Sequence, residues 1–238
     1  GRIYRIKPNG VNGTTGTIQQ VFDPFVADTG PTNYQVPLNN VPSPGWAPKG
    51  ERLWGVQWHM DRVFYSVWAE DADNQSSAIS NEIRSVGLDG TGAFVGTSDQ
   101  HELYLPPLPG FDYSMPVADI SFDATGKMLL GERGISGSTS TSPHQARNLE
   151  YACEAGCWLP ANAYQIGACC GGTNAGGGVD YDRFPYTGGP VGRVWGSGDA
   201  LHLGFPYLDE VYGYQGTRPT GGSNVNAILI DDDGNTQD

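Results

Sequence analysis

The chain has 238 residues, with 13 Lys and Arg against 26 Asp and Glu, and a formal net charge of −13. That balance argues against nucleic acid or an anionic membrane surface as a partner, and no apolar run approaches the ~20 residues that cross a bilayer. With 35 Gly and 17 Pro interrupting every window, long amphipathic helices are excluded and one large all-β domain fits the length.

Ile3-Tyr4-Arg5-Ile6 reads as a short strand and residues 17–25 as a second, together a hairpin. Residues 26–49 are rich in Pro, Asn and Gly and form a long connection. Residues 53–68 then give strand, a Met60-Asp61 turn, and strand; a loop over 69–80 leads to 82–88, the turn Asp89-Gly90-Thr91-Gly92 to Phe94-Val95, and 101–105 closes the unit. The stretch 117–134 repeats this grammar: Val117, Ile120 and Phe122, then Met128 to Leu130, joined by Asp123-Ala124-Thr125-Gly126, whose Asp and Gly favour a tight reversal. A Gly/Ser-rich loop follows, then a third strand over 149–153 and a fourth over 158–166. A Gly-rich separator, 171–189, precedes strand, turn, strand over 200–213, a loop over 214–223, and a last strand over 225–230.

The recurrence predicts an all-β chain folded as a β-propeller of four-stranded antiparallel blades, with units at 1–26, 51–105, 117–166 and 199–230. Small sheets of this kind bury their faces only against one another; a β-sandwich or prism is the alternative, and a sandwich does not require the same hairpin, loop, strand order to recur. Third strands anchored at Ile3, Ile83, Leu149 and Ala227 are spaced more widely than the ~40–50 residues of compact propeller repeats, and the excess lies in the loops. About three and a half blades are visible, short of the roughly 4–8 of propellers. Either the loops hold further strands, or the chain is a segment of a larger propeller and a second segment, from the same precursor or from another subunit, is needed to close the ring.

Start at Gly1 without Met, only three Lys, and a polar complement dominated by Thr, Ser, Asn, Gly and Tyr fit a processed, exported, extracellular or cell-surface protein. The sequons Asn12-Gly13-Thr14 and Asn74-Gln75-Ser76 agree with export. The succession Glu51-Arg52-Leu53-Trp54-Gly55, Asn81-Glu82-Ile83, Leu105-Pro106-Pro107-Leu108-Pro109, Asp119-Ile120-Ser121-Phe122 and Gly131-Glu132-Arg133-Gly134 resembles the propeller region of large bacterial cell-surface proteins carrying SdrD B-like or DUF11-type repeats. The closing Ile228-Leu229-Ile230-Asp231 with Thr236-Gln237-Asp238 is similar to the segment that leaves the propeller there. The resemblance covers most of 51–238 and implies location and architecture rather than chemistry.

Four cysteines, Cys153, Cys157, Cys169 and Cys170, fall close together. In an exported chain they predict two disulfides, Cys153 and Cys157 each pairing with one of Cys169 and Cys170, since a Cys169–Cys170 bridge is vicinal and strained. A four-thiolate zinc or iron–sulfur site is the alternative, against which stand the spacing and the lack of a His within the loop. The acidic tail offers Asp231, Asp233, Asn235 and Asp238 as oxygen ligands for a structural calcium, although the EF-hand spacing is missed. Glu70-Asp71 with Asp73 and Asn74 is a second acidic cluster of this kind.

In a propeller the loops between second and third strands would gather Trp68, Glu70 and Asp71, then Glu132 and Arg133, then Tyr214 and Arg218 on one end face, where rings and charges suit a polar glycan or a peptide. The competing reading is that the rings pack between blades and the charges close loops. His59, His101, His144 and His202 lie in different repeats and assemble no catalytic set; nucleophile-elbow, zinc-protease and phosphate-loop motifs are missing. The function expected is therefore a non-catalytic scaffold or adhesion module, its partners other subunits or further domains of the same surface protein. A calcium-dependent propeller hydrolase, lactonase-like, with Glu70, Asp119, Glu132 and Asp199 around the ion, is the alternative.

Overall fold

The structure, a computed structural model, describes residues 1–9, 15–25, 47–73, 79–182, 192–202, 211–222 and 227–231. Among the described residues it is all-β, with several antiparallel sheets and no α-helix. The strands are β1 (Ile3–Asn9), β2 (Thr15–Phe22), β3 (Arg52–His59), β4 (Arg62–Trp68), β5 (Glu82–Leu88), β6 (Phe94–Tyr104), β7 (Val117–Phe122) and β8 (Met128–Glu132). They continue as β9 (Ile135–Ser136), β10 (Ser140–Thr141), β11 (Asn148–Glu154), β12 (Cys157–Tyr164), β13 (Ala175–Tyr181), β14 (Val194–His202), β15 (Val211–Thr217) and β16 (Ile228–Asp231). Three sheets are four-stranded meanders, β3-β4-β5-β6, β7-β8-β11-β12 and β13-β14-β15-β16, while β1-β2 and β9-β10 are separate hairpins. Among the described residues the sheets do not close into a barrel or ring.

Side-chain alternation explains how the sheets stack. In β4, Val63, Tyr65 and Val67 meet Ile3 and Phe22 of the β1-β2 hairpin, while Phe64 between them meets Phe122 of the second sheet. In β8, Met128 and Leu130 face the first sheet and Leu129 faces Val179 and Val194 of the third. A strand covered on both faces reads as an unbroken apolar run, and all of β8 is buried. The order is thus hairpin, first sheet, second sheet, third sheet. Among the described residues nothing covers the outer face of the third sheet, where Tyr214, Ile228 and Ile230 stand at 47%, 45% and 48% exposure.

Two turns of like sequence use like chemistry. Asp89 accepts hydrogen bonds from the N–H groups of Thr91 and Ala93 at 2.8 and 3.0 Å, and Asp123 from those of Thr125 and Lys127, both at 2.8 Å. Gly92 and Gly126 supply the left-handed residue, at φ of 75° and 87°, that a side chain would resist. Neighbouring sheets are also tied by polar bonds. Ser66 of β4 donates to the Val117 carbonyl of β7 at 2.7 Å, Trp158 of β12 donates to Glu102 of β6 at 2.8 Å, and the Val179 N–H of β13 donates to Asp119 of β7 at 3.0 Å.

The units expected over 51–105 and 117–166 coincide with the first two meanders, and the Gly/Ser-rich loop of the second carries the β9-β10 hairpin. The last unit needs correction. It begins at Ala175, because the Gly-rich stretch expected as a separator contains β13, and the strand expected over 225–230 is the fourth of its sheet. Glycine is needed there by contact: a Cβ on Gly131 would land on the Gly177 carbonyl, and one on Gly177 would lie 3.0 Å from the Ala118 Cβ. The run that weakens the strand signal is what lets the second and third sheets approach.

The cysteine pairing also differs from expectation. Cys169 is bridged to Cys170, and Cys153 and Cys157 are free and exposed. Register shows why: Cys153 pairs with Trp158 and Glu154 with Cys157 at the tip of the β11-β12 hairpin, so the two thiols point to opposite faces. Seven residues of β12, roughly 23 Å of strand, separate Cys157 from the end of the ribbon that leads to Cys169. Both sequons lie outside the described residues, as do Asp233, Asn235 and Asp238 of the acidic tail; Asp231 ends β16.

Candidate functional site

The first strands of the three meanders, β3, β7 and β13, run side by side, β7 between the others. Over them lies an open cleft of two hollows, about 440 and 680 Å³, which share Gln57. In the smaller hollow, Asp119 accepts from the N–H groups of Ile120 and Val179 at 2.9 and 3.0 Å, and Asp180 accepts from the Ser121 hydroxyl at 2.8 Å. Burial pushes the Asp119 carboxyl above its ordinary range and the Asp180 charge adds to this, against the two N–H donors. Trp195 and the half-exposed Tyr214 form the aromatic wall. Trp195 lies flat across Gly216, whose missing side chain leaves room for the ring: a Cβ there would sit 2.8 Å from it.

The larger hollow lies at the hairpin-turn end of the same strands. Glu150, 1% exposed, accepts from the hydroxyls of Tyr181 at 2.8 Å and Tyr164 at 3.1 Å and from the Asn162 amide, and it pairs with Lys127 at 3.3 Å. Burial and the Glu150 charge drive both phenols far above their ordinary range, so they act as fixed hydrogen-bond donors. Trp58, 63% exposed, stands at the rim. Flat rings beside carboxylates, amide and hydroxyl groups are the chemistry that holds polyhydroxylated ligands, by stacking on C–H faces and hydrogen bonding to hydroxyls.

The His59 ring stacks on Phe122 at 4.1 Å with 6° between planes. Burial lowers its pKa, with Asp123 opposing. A histidine depressed in the folded state contributes stability above its unfolded value near 6.5, and loses it as pH falls through the folded value. Thermal unfolding followed by circular dichroism at pH 7.5 and pH 5 should therefore show a smaller acid-induced drop in Tm for His59→Phe than for the wild type. Equal drops would remove His59 as a contributor.

The residues expected from sequence to form an end-face site have other duties. Trp68 is buried, stacks on Trp54 at 5.3 Å and donates to Asp71 at 3.0 Å. Glu70 accepts from the Ser114 N–H and hydroxyl at 2.9 and 2.7 Å. Asp71, fully buried, pairs with Lys49 at 2.9 Å, and Lys49 also reaches Asp73 at 3.7 Å, so a side-chain ammonium sits at that acidic cluster; Asn74 lies outside the described residues. Glu132 is fully buried against Arg147, and Arg133 donates to the Gly176 carbonyl at 3.1 Å. Arg218 is exposed in the turn after β15, and Tyr214 alone of the set lines the cleft. Of the four carboxylates offered for a hydrolase, Asp119 lines it, Glu70 and Glu132 are engaged as above, and Asp199 lies on β14 with its N–H donating to the Asn174 carbonyl at 3.0 Å.

Asp180, Trp195, Gln57 and Glu150 were not singled out from sequence. The alternation Val179-Asp180-Tyr181 and Val194-Trp195 was the available signal, masked by the adjoining glycines. The chain matches no family model, no curated protein and no solved structure.

Proposed function

We propose that this chain is a non-catalytic binding module of an exported cell-surface protein, its three meanders acting as consecutive blades of a β-propeller, and that the cleft over β3, β7 and β13 holds a polar glycan. The propeller reading is supported by the shared strand order of the sheets and by their first strands lying adjacent. The surface location rests on composition and on the likeness to propeller regions of large bacterial surface proteins. Further domains of the same protein, or other subunits, would continue the stack beside the cleft at the far edge of the third sheet, where Ile228 and Ile230 of β16 are exposed.

The observation that carries the glycan assignment is the placing of Trp195 and Tyr214 beside Asp119, Asp180 and Gln57 in one hollow. A glycan array probed with the full chain should return ligands, and Trp195→Ala should weaken the best of them at least about tenfold, the ~1.4 kcal/mol or more that an aromatic anchor supplies. Equal retention by wild type and Trp195→Ala would sink the assignment. A second reading is favoured by the placing of Asp119 beside Asp180 in the hollow, with the Asp119 carboxyl pushed upward by burial, since a raised carboxylic acid suits general acid catalysis of hydrolysis. Breakdown of the retained ligand, abolished in Asp119→Asn, would select that hydrolase, and its dependence on added calcium would identify the lactonase-like form.

A further inference from the structure

Away from the cleft, two loops bring together groups that stand far apart in sequence. Thr173 lies in register with Ile166, and Asn174 with Ala146, through parallel bridges; the Ala146 N–H donates to the Thr173 carbonyl at 2.9 Å and the Ile166 N–H to the Gly172 carbonyl at 2.8 Å. The Thr173 hydroxyl sits between the carbonyls of His144 and Cys170, at 2.7 and 2.8 Å, donating to either. Asn174 donates to the Cys169 carbonyl at 3.2 Å. The backbone thereby fixes His144 relative to the Cys169–Cys170 pair. Its Nδ1 is 3.7 Å from the Cys169 sulfur, and the donor atoms of His144, Cys169 and Cys170 all lie within 4.8 Å of one another. The Asn174 amide oxygen is 2.6 Å from that Nδ1 and 3.6 Å from that sulfur. None of His144, Cys169 and Cys170 is buried.

Two sulfurs, one imidazole nitrogen and an adjacent amide oxygen are the ligand set of a soft cation rather than of calcium or magnesium. We propose that the dithiol form of Cys169–Cys170, with His144, binds one thiophilic d10 cation, Zn(II) or Cu(I), and that the disulfide is the closed, metal-free state of this site. Opening it takes two electrons and two protons from a dithiol, which itself closes to a disulfide while Cys169 and Cys170 become thiols. The cation then displaces both thiol protons to solvent, the Nδ1 proton that His144 gives to the Asn174 oxygen moves through water to Nε2, and the metal bonds to the two thiolates and the freed Nδ1. Zn(II) completes a tetrahedron with the Asn174 oxygen or water, whereas Cu(I) is satisfied by three ligands. The four-cysteine metal site weighed from sequence is thus replaced by a different set, two of its members 25 residues apart.

The test uses the full chain carrying Cys153→Ser and Cys157→Ser, so that the exposed hairpin thiols do not compete. A phosphine reduces it under argon: the S–S bond opens to two thiols and the phosphine takes an oxygen from water. Zn(II) and Cu(I) are then titrated separately against a chromophoric chelator, with the unreduced protein as reference. Binding of about one equivalent of at least one metal to the reduced chain only, weakened at least about tenfold by His144→Ala, a loss of ~1.4 kcal/mol, is the expected result. Binding that is the same before and after reduction, or undiminished in His144→Ala, would overturn the proposal. If His144→Ala fails to fold, Co(II) loaded into the reduced parent decides. Sulfur-to-metal charge transfer with tetrahedral ligand-field bands supports the site, and an octahedral aqueous spectrum refutes it.

Discussion

Arg147→Ala is expected to lower the stability of the chain by about 3–5 kcal/mol, the usual loss when one partner of a buried ion pair is removed. Glu132, at the end of β8, is fully buried and takes three hydrogen bonds from Arg147: from Nη2 at 2.6 Å, Nε at 2.8 Å and the backbone N–H at 2.9 Å. The same guanidinium caps the carbonyls of Pro106 and Pro107 at 2.7 and 3.0 Å, on the connection between the first and second sheets. Its removal leaves a fully buried carboxylate without its ion partner, while the carbonyls of the exposed Pro106 and Pro107 pass to water. Burial already presses the Glu132 pKa upward, and Arg147 acts against that; without Arg147 the rise should be larger. An acid raised in the folded state is stabilising in its protonated form, so the variant should regain part of its loss as pH falls from neutrality towards 5. Urea unfolding at both pH values measures this. A loss under 1 kcal/mol, or one that does not shrink in acid, would show that the pair does not hold β8 to the connection.

Gly131→Ala should cost about 1–3 kcal/mol, as overpacking of a filled interior does. The obstruction is a backbone carbonyl, that of Gly177, which cannot swing aside as a long side chain would. Relief requires the second and third sheets to separate, and that would open the Leu129, Val179 and Val194 contacts and disturb the Asp119 to Val179 bond. Gly90→Ala is the matched control: nothing lies within 4 Å of a Cβ at that exposed turn, so its effect should stay within about 0.5 kcal/mol. If the two variants melt together, the close contact of β8 with β13 is not as described.

Elements with a strong period were legible in the residues. The strands β3 to β5 and β7 to β8 follow from alternating apolar positions bounded by turns whose Asp and Gly do the same work at 89–92 and 123–126. β13 was not legible, because Ala175-Gly176-Gly177-Gly178 has the composition of a loop and only the neighbouring sheet shows why side chains are missing there. The cleft was half visible for the same reason: Asp119 and Tyr214 were noted, but Asp180 and Trp195 belong to a strand pair hidden by glycine. Charges expected at an open face, such as Glu70, Asp71 and Glu132, are buried because each found a partner from a distant segment, Ser114, Lys49 and Arg147.

The amino-acid order by itself determined that the chain is all-β, that its strands come as successive antiparallel hairpins, and where most of its turns fall, since these depend on near neighbours: alternation, Asx hydrogen bonds and left-handed glycines. Which sulfur meets which, which carboxylates face water, and which rings line the cleft were decided only by tertiary structure. Those outcomes depend on register and on the distance between sheets, which residues far apart in the chain set together.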